Sequence, residues 1–439
     1  MFVPLLSEYD PKQSQGGSLD PLGMYAIADA LAVLLAPGVR ERQSRPRFLT
    51  AMAVSYAVCS GFEEDRIAND GISEPWQVFE WYVVEGLVRS SGTSGRLVRV
   101  PGTEKVTSAV RAGVPVSASR YLKTPSVFGF HGVYRTLARE LKVETFNHLG
   151  ETGYEILAAW SEEQNLKGFN DSSAGIGSSW RTALFKAVDD GLSKGHTCRS
   201  AAWEGWNFIA QHLAPGEIGK KEGRSLTRAL LGDTGGFRRS AIEFLASSEG
   251  QTVLSEALSE GFLSERRVHR GLRSSADTAL RNLLDTVRVY EKFARLLQDA
   301  FDDCLYEMSQ SKRRLSFRDL CSCKGVLPAS ERTPDLYIRL LDMLAPYGLS
   351  FRFQEMFEGL SNRGSSQDWV VSLLEHHRLV QKRKPPNGKA PWFERFDDGT
   401  YLVRPGYLRD KQGLHKDEYV HYYRTSPLRS FMLDLGLVK

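Results

Sequence analysis

"ADTALRNLLDTVRVYEKFARLLQDAFDDCLYEMSQ", residues 276–310, is the most regular stretch of the 439-residue chain. Its apolar side chains recur at alternating intervals of three and four, at positions 280, 283, 287, 290, 294, 297, 301, 304 and 308. This spacing predicts one helix with a buried stripe, and about 33 helical residues would span about 50 Å. Two arrangements fit the stripe. The sequence favours the central helix of an intrachain bundle over a homodimeric coiled coil through residues 277–308.

Most of the remaining chain also has helical periodicity, with strand-like runs only in short pieces. The predicted fold class is therefore mainly α with small α+β units: winged-helix-like modules around a long-helix bundle, and a C-terminal helix plus β-hairpin. The length predicts several domains. We divide the chain into an N-terminal helical and winged-helix-like domain (1–120), a second winged-helix-like unit with a Gly/Ser loop (121–200), a helical bundle containing the long helix (201–315) and a basic α+β domain (316–439).

The winged-helix hypothesis comes from two helix-turn units. Residues 73–102 contain an apolar helix, the glycine turn "SSGTSG" and the alternating run "RLVRV". Residues 121–165 contain an amphipathic helix and a glycine-bounded turn that leads into another helix. His131 lies in this second unit, and we expect it to be structural because no base or nucleophile is adjacent in the sequence.

Charge is unevenly distributed along the chain, although the net charge is only +4. Residues 376–409 carry eight bases and three acids, whereas residues 62–85 carry seven acids and one base. Such segregation creates local fields without a large net charge. The basic segment suits a polyanionic partner, and the alternative is a solvated surface.

"HHRLVQKRKPPNGKAPWFERFDDGTYLVRP", residues 376–405, predicts a helix that becomes basic and is followed by a hairpin. The candidate nucleic-acid-binding residues are Arg378, Lys382, Arg383, Lys384, Lys389 and Arg395, together with the upstream Lys312, Arg313 and Arg314. Their cations would neutralise phosphates. We expect the interleaved aromatics Trp392, Phe393, Phe396 and Tyr401 to be buried in the hairpin. The adjacent His376 and His377 point about 100° apart on a helix, so one would be buried and the other exposed.

No catalytic signature is complete in the sequence. It lacks a P-loop, a dinucleotide fingerprint, a nucleophile elbow and an acid-x-Lys triplet on an apolar strand. The Cys321-x-Cys323 pair has no second pair nearby to complete a zinc site. We therefore predict no catalytic residue, no metal and no cofactor, and the sequence favours a non-enzymatic protein over an enzyme. No apolar run approaches the roughly 18 residues of a membrane span and no secretory signal is evident, so we predict a cytoplasmic protein with no membrane partner.

Four separated blocks resemble uncharacterised bacterial proteins of anti-phage defence islands. The blocks are "GGSLDPLGMYAIADALAVLLAPGVRERQSRPRFLTAMAV" (16–54), "YEKFARLLQDAFD" (290–302), "HHRLVQKRKPPNGKAPWFER" (376–395) and "YYRTSPLRSFMLDLGL" (422–437). The resemblance implies an accessory subunit of a DNA-directed defence complex. None of the blocks is a catalytic motif, so no active-site residue follows from it.

These observations give a leading hypothesis and two alternatives. The leading hypothesis is a non-enzymatic accessory or scaffold subunit that binds double-stranded DNA and other defence proteins, such as a helicase or nuclease. One alternative is a protein-only scaffold whose basic segments meet an acidic partner, including the chain's own residues 62–85. The other is a divergent metal-dependent nuclease whose acids converge only in the fold.

Overall fold

A computed structural model of the chain describes residues 20–91, 100–171, 173–232, 236–258, 263–411 and 418–438. Its α-helices are α1 Tyr25–Leu35, α2 Phe48–Cys59, α3 Pro75–Ser91, α4 Thr103–Arg111, α5 Pro125–Phe128, α6 Phe130–Glu140, α7 Glu151–Glu163, α8 Ile176–Lys194, α9 Gly205–His212, α10 Lys220–Leu230, α11 Arg238–Ala246, α12 Ser248–Ala257, α13 Glu265–Ser275, α14 Thr278–Gln310, α15 Phe317–Leu320, α16 Val326–Leu344, α17 Ser350–Phe357, α18 Ser366–Lys382 and α19 Thr425–Asp434. The strands are β1 Glu144–Thr145, β2 His148–Leu149, β3 Leu315–Ser316, β4 Phe393–Arg395 and β5 Thr400–Val403. The predicted class, mainly α with small α+β units, is confirmed.

The chain divides into two compact units, each built from separated segments. The first unit comprises residues up to 31, 264–269 and 277–423. The second comprises residues 32–263, 270–276 and 424–438 of the described chain. The linear division at 120, 200 and 315 stays a prediction.

Helix α14 is the core helix of the first unit. The Asp277 side chain caps it by accepting a hydrogen bond from the Leu280 amide at 2.8 Å. All nine predicted stripe positions are at most 2% exposed, and the helix packs on α16, α18 and β5. Other elements of the same chain therefore cover the apolar stripe, as the intrachain-bundle alternative predicts. A homodimer through residues 277–308 stays a prediction and would have to use the outward faces of the helix.

Aromatic side chains fill the space between α14 and its neighbours. The Phe293 ring lies 5.2 Å from the rings of both Phe353 and Phe357, in T-shaped contacts. Tyr337 of α16 stacks on Phe353 at 5.4 Å. These rings provide large apolar areas in preferred geometries, so they account for much of the packing of α16 and α17 on α14.

A buried carboxylate on α14 holds the segment that ends the first unit. Glu291 accepts hydrogen bonds from the Val420 amide, from Nδ1 of His421 at 2.8 Å and from the Tyr423 hydroxyl at 2.7 Å. Burial alone would raise the pKa of Glu291, but His421 and these hydrogen bonds hold that pKa below its usual value. The segment is therefore fixed by an ionised group inside the core.

The adjacent histidines of α18 both bind backbone carbonyls of the N-terminal segment. Nε2 of His376 lies 2.7 Å from the Leu22 oxygen, and Nδ1 of His377 lies 2.9 Å from the Pro21 oxygen. Nε2 of His377 accepts the Trp392 amide at 3.1 Å. His377 is fully buried and His376 is half-buried, so the expectation that one of the pair would be exposed is wrong. Both rings have acceptors on the same backbone segment despite their angular separation.

The second unit is built around α2. Ten of its twelve residues are buried, and it packs on α3, α6, α7 and α8. A helix that is apolar on all sides belongs inside a core. Just before it, the Arg47 guanidinium pairs with Glu222 at 3.0 Å, and both side chains are at most 1% exposed. The Thr50 hydroxyl adds a 2.7 Å hydrogen bond to the same carboxylate.

The winged-helix hypothesis is only partly addressed by the described residues. Helix α3 is present in the first predicted module and includes the first two residues of the predicted turn (90–95). Residues 92–99, which contain the rest of that turn and most of the predicted strand (96–100), lie outside the described residues. In the second module, β1 and β2 form a two-residue antiparallel hairpin between α6 and α7. The likeness to winged helices stays a prediction. Among the helices described, none has both the length and the apolar character needed to cross a membrane.

Replacing Arg47 with Met is expected to destabilise the second unit by about 3–5 kcal/mol, because Glu222 would stay buried without its cation. The double variant Arg47→Met/Glu222→Met should recover part of that loss, since no uncompensated charge remains. Urea unfolding of both variants measures this. Equal stability of the single variant and the parent chain would contradict the role given to the pair.

The stability of the first unit should fall as the pH falls below 6.5. Burial lowers the pKa of His377 to about 3 from an ordinary 6.5, so below pH 6.5 the unfolded chain takes up a proton that the folded chain refuses. The loss approaches about 1.4 kcal/mol per pH unit for this group. Protonation would also place an N–H against the Trp392 amide. In urea unfolding between pH 7.5 and 4.5, His377→Asn should be less stable at pH 7.5 and show a shallower pH dependence. An unchanged slope would contradict the assignment.

Candidate nucleic-acid interface

A three-stranded antiparallel sheet joins the two basic segments of the C-terminal region. The strand order is β3-β5-β4, with Leu315 opposite Tyr401 and Ser316 opposite Thr400. The predicted helix plus hairpin is confirmed as α18, β4 and β5, and β3 is an additional strand that the sequence did not predict. Because residues 312–314 directly precede β3, the sheet places them beside the hairpin.

Two turns shape this region. After α18, the Lys389 amide donates to the Gln381 oxygen at 2.9 Å, and Gly388 has a φ of +80° that favours glycine. In the hairpin turn, the Asp398 carboxylate accepts hydrogen bonds from the hydroxyl and the amide of Thr400, which lower the pKa of Asp398. Lys389 is four residues before Phe393, so it lies within about 14 Å of the sheet.

The aromatic side chains of the hairpin mainly support the sheet. Trp392, Phe393 and Tyr401 are at most 9% exposed, and the Trp392 ring packs 5.8 Å from Phe301 of α14. Phe396 is half-buried beneath the Arg314 guanidinium, which lies 3.4 Å from its ring centroid. The expected burial is confirmed for Trp392, Phe393 and Tyr401. They are therefore not presented as a platform for stacking on bases.

Among the described residues, three of the nine predicted cations have hydrogen-bond or ion-pair partners. Arg378 pairs with Glu375 three residues earlier, and Arg313 forms two hydrogen bonds to Asp319, at 2.6 and 3.1 Å. Lys384 donates to the Asp20 carbonyl at 2.8 Å, and burial lowers the pKa of Lys384 to about 8. These contacts restrain the three side chains and reduce their availability to a ligand.

The other six predicted cations form what we call the basic rim: Lys312, Arg314, Lys382, Arg383, Lys389 and Arg395. Five are exposed and Lys389 is half-buried. Among the described residues, no carboxylate lies within ion-pair distance of any of the six. Their positive charges are therefore uncompensated by direct contact, which is the electrostatic property that a polyanion site requires.

A groove of about 310 Å³ runs between α18 and β4. Arg378, Arg395 and Arg404 line it together with Glu375 and Glu394. Arg404 approaches Glu394 at 3.8 Å. The groove therefore carries mixed charge, and of the other six predicted cations only Arg395 lines it.

Sequence reasoning missed a second cationic surface in the same unit. A cavity of about 490 Å³ beside α14 is lined by Arg266, Arg288, Lys292, Arg295 and Arg332, with Glu291, Asp299 and Glu418 among them. The sequence did contain a signal for this surface, because the basic positions 288, 292 and 295 recur on one helical face. The stronger apolar stripe on the opposite side of α14 dominated the interpretation.

No group of three or more His, Cys, Asp or Glu side chains is arranged to hold a metal ion within the part of the chain that the structure describes. The five cysteines are free thiols, with Cys304 and Cys323 buried. The chain matches no protein-family model, no curated protein and no solved structure.

Proposed function

We propose that this chain is a non-enzymatic subunit that binds double-stranded DNA and serves as an accessory or scaffold protein in a bacterial anti-phage defence complex. The observation that carries the DNA part is the basic rim: six cations that have no carboxylate partner among the described residues, gathered around one small sheet and the end of α18. The defence context rests on the sequence resemblance alone.

The geometry favours phosphate contact over base reading. Long, exposed Lys and Arg side chains neutralise phosphates without carrying sequence information. Proteins that grip single strands use exposed aromatics for stacking, whereas Trp392, Phe393 and Tyr401 are buried. We therefore expect weak sequence preference and a preference for duplex over single strands.

A second candidate is a scaffold that binds an acidic protein. The same six cations would suit acidic side chains, and several large apolar side chains of the first unit are exposed, among them Phe351 at 79% and Ile338 at 54%. Exposed apolar groups favour protein partners over nucleic acid. The two candidates differ in the polyanion that they prefer.

Fluorescence anisotropy with a labelled duplex should show binding that weakens log-linearly as salt increases. If most of the basic rim contacts phosphates, the slope of log K against log salt should be about −4 to −5. Poly-L-glutamate, added at matched charge, should displace the duplex poorly. Displacement by poly-L-glutamate as efficient as by unlabelled duplex would favour the acidic-protein candidate.

The triple variant Lys382→Gln/Arg383→Gln/Lys389→Gln should weaken duplex binding and reduce the salt slope by about 2–3. Lys384 is left unchanged because its amine bonds to the Asp20 carbonyl. A matched control, Lys105→Gln/Arg111→Gln/Lys123→Gln, removes the same charge from three exposed positions of the second unit. Equal losses in both variants would reduce the effect to net charge, and no loss in the first would remove the basic rim as the interface.

A further inference from the structure

The proposed function does not use the cationic cavity beside α14. Its volume of about 490 Å³ lies within the range of small-molecule sites in proteins, and all its lining residues belong to the first unit. We call it the α14 cavity. Its basic side chains come from three separate helices: Arg266 of α13, then Arg288, Lys292 and Arg295 of α14, and Arg332 of α16. Cations that converge on one concavity from three elements indicate an anionic ligand.

Two of these cations have no carboxylate partner in the described part of the chain. Lys292 and Arg332 are both exposed, and no described acid lies within ion-pair distance of either. Arg288 pairs with Asp285 at 3.3 Å on the same helix, in a partly exposed contact of the kind that contributes little to stability. At least two positive charges of the cavity are therefore uncompensated by direct contact.

Arg295 provides a cation in a fixed position. Its guanidinium donates to the backbone oxygens of Glu418 and Tyr419 at 3.1 and 3.0 Å, and to the Asp299 carboxylate at 3.4 Å. A guanidinium has five N–H groups, so these three contacts leave two N–H groups for a ligand. Because the side chain is already held in place, a ligand that binds to it has little conformational entropy to remove.

The acids among the lining residues are engaged with other groups. Both oxygens of Glu291 accept hydrogen bonds from neighbouring amides and side chains. Oε2 of Glu418 accepts the Ser264 hydroxyl at 2.7 Å, and Asp299 accepts the hydrogen bond from Arg295. Five cations therefore face three carboxylates whose oxygens already have donors, so the cavity favours an anion over a cation.

The hydroxyl of Tyr419 lies within the field of two of these cations. Burial raises the pKa of Tyr419 above its usual value and the charge of Glu291 adds to this effect, whereas Arg266 and Arg288 both lower that pKa. The two guanidinium groups belong to different helices, yet they act on the same hydroxyl at the cavity wall. This agrees with the convergence of the cations on one site.

The spacing of the cations indicates more than one phosphate. Positions 288 and 295 are seven residues apart, which is about 10 Å along the helix axis. A single phosphate is too small to contact both ends of such a row, whereas linked phosphates extend along it. A DNA duplex is too wide to enter a cavity of about 490 Å³. The dimensions therefore favour a short chain of phosphates.

We propose that the α14 cavity binds an oligophosphate, that is, two or three linked phosphates, whether inorganic or carried by a nucleotide. Arg295 supplies fixed donors, and Lys292 and Arg332 supply charge from two helices. The site does not depend on the basic rim. Lys292 lies 18 residues, or about 27 Å, before the end of α14, and Lys312 follows that end, so one oligophosphate cannot contact both residues.

Isothermal titration of the full chain, without divalent cations, compares inorganic triphosphate, diphosphate and phosphate. Triphosphate should bind at least about tenfold more tightly than phosphate, because it makes more charge-assisted contacts. No triphosphate binding at millimolar concentration, or phosphate binding as tight as that of triphosphate, would overturn the proposal.

ATP and AMP identify the source of the phosphates. Tyr419 is the single aromatic residue among the described lining residues, and its ring already packs against two other rings at 5.5 and 5.9 Å. We therefore expect ATP to bind within about threefold of triphosphate, and AMP about tenfold more weakly than ATP. Much tighter binding of ATP than of triphosphate would support the proposal with a nucleotide as the source. AMP binding as tight as that of ATP would contradict it.

Variants assign the binding to this cavity. Lys292→Gln/Arg332→Gln should weaken triphosphate about tenfold, because two charge-assisted contacts are lost, and an unchanged Tm would show that the fold is intact. The matched control Lys382→Gln/Arg383→Gln removes the same charge from the basic rim and should change triphosphate affinity by less than about twofold. Equal losses in the two variants, or no loss in the first, would exclude the site. If the first variant weakens binding of a labelled duplex while triphosphate does not bind the parent chain, the cavity is part of a DNA surface and the oligophosphate proposal is wrong.

Discussion

The C-terminal region depends on one neutral imidazole ring. His377 donates from Nδ1 to the Pro21 carbonyl and accepts at Nε2 from the Trp392 amide, so a single side chain joins the N-terminal segment, α18 and the start of β4. Only a neutral ring can donate at one nitrogen and accept at the other. The position of the hairpin, and of every cation attached to it, is therefore tied to the protonation state of a buried residue.

Much of the first unit could be predicted from sequence because its main signal is long and repetitive. Nine apolar positions at helical spacing identify α14, and its capping residue Asp277 precedes the repeat. Strand β3 had no comparable signal. It is two residues long, lies within the basic run "KRRLSFR" and pairs with a strand that begins 84 residues later. Periodicity needs several residues, and pairing across such a separation leaves no local pattern.

The candidate site residues could be identified from the sequence by residue type, but their partners in the folded chain could not. The basic composition indicated all nine cations, yet it could not distinguish Lys384, which bonds to a carbonyl from residue 20, from Lys382, which has no ion-pair partner in the described part of the chain. The same limit applied to His131, whose Nδ1 lies 2.8 Å from the carboxylate of Glu80 on α3. In both cases the contact is tertiary, so neighbouring positions in the sequence do not reveal it.

The small sheet has a further consequence for the behaviour of the protein in concentrated solution. Its outer strands, β3 and β4, are two and three residues long, and within the described residues each has a neighbouring strand on one side only. Open strand edges are templates for pairing with another chain. Here one edge follows directly on Lys312, Arg313 and Arg314, and the other ends in Arg395. Short length and like charge at both edges oppose strand addition, so the residues that would attract a polyanion also protect the sheet against self-association.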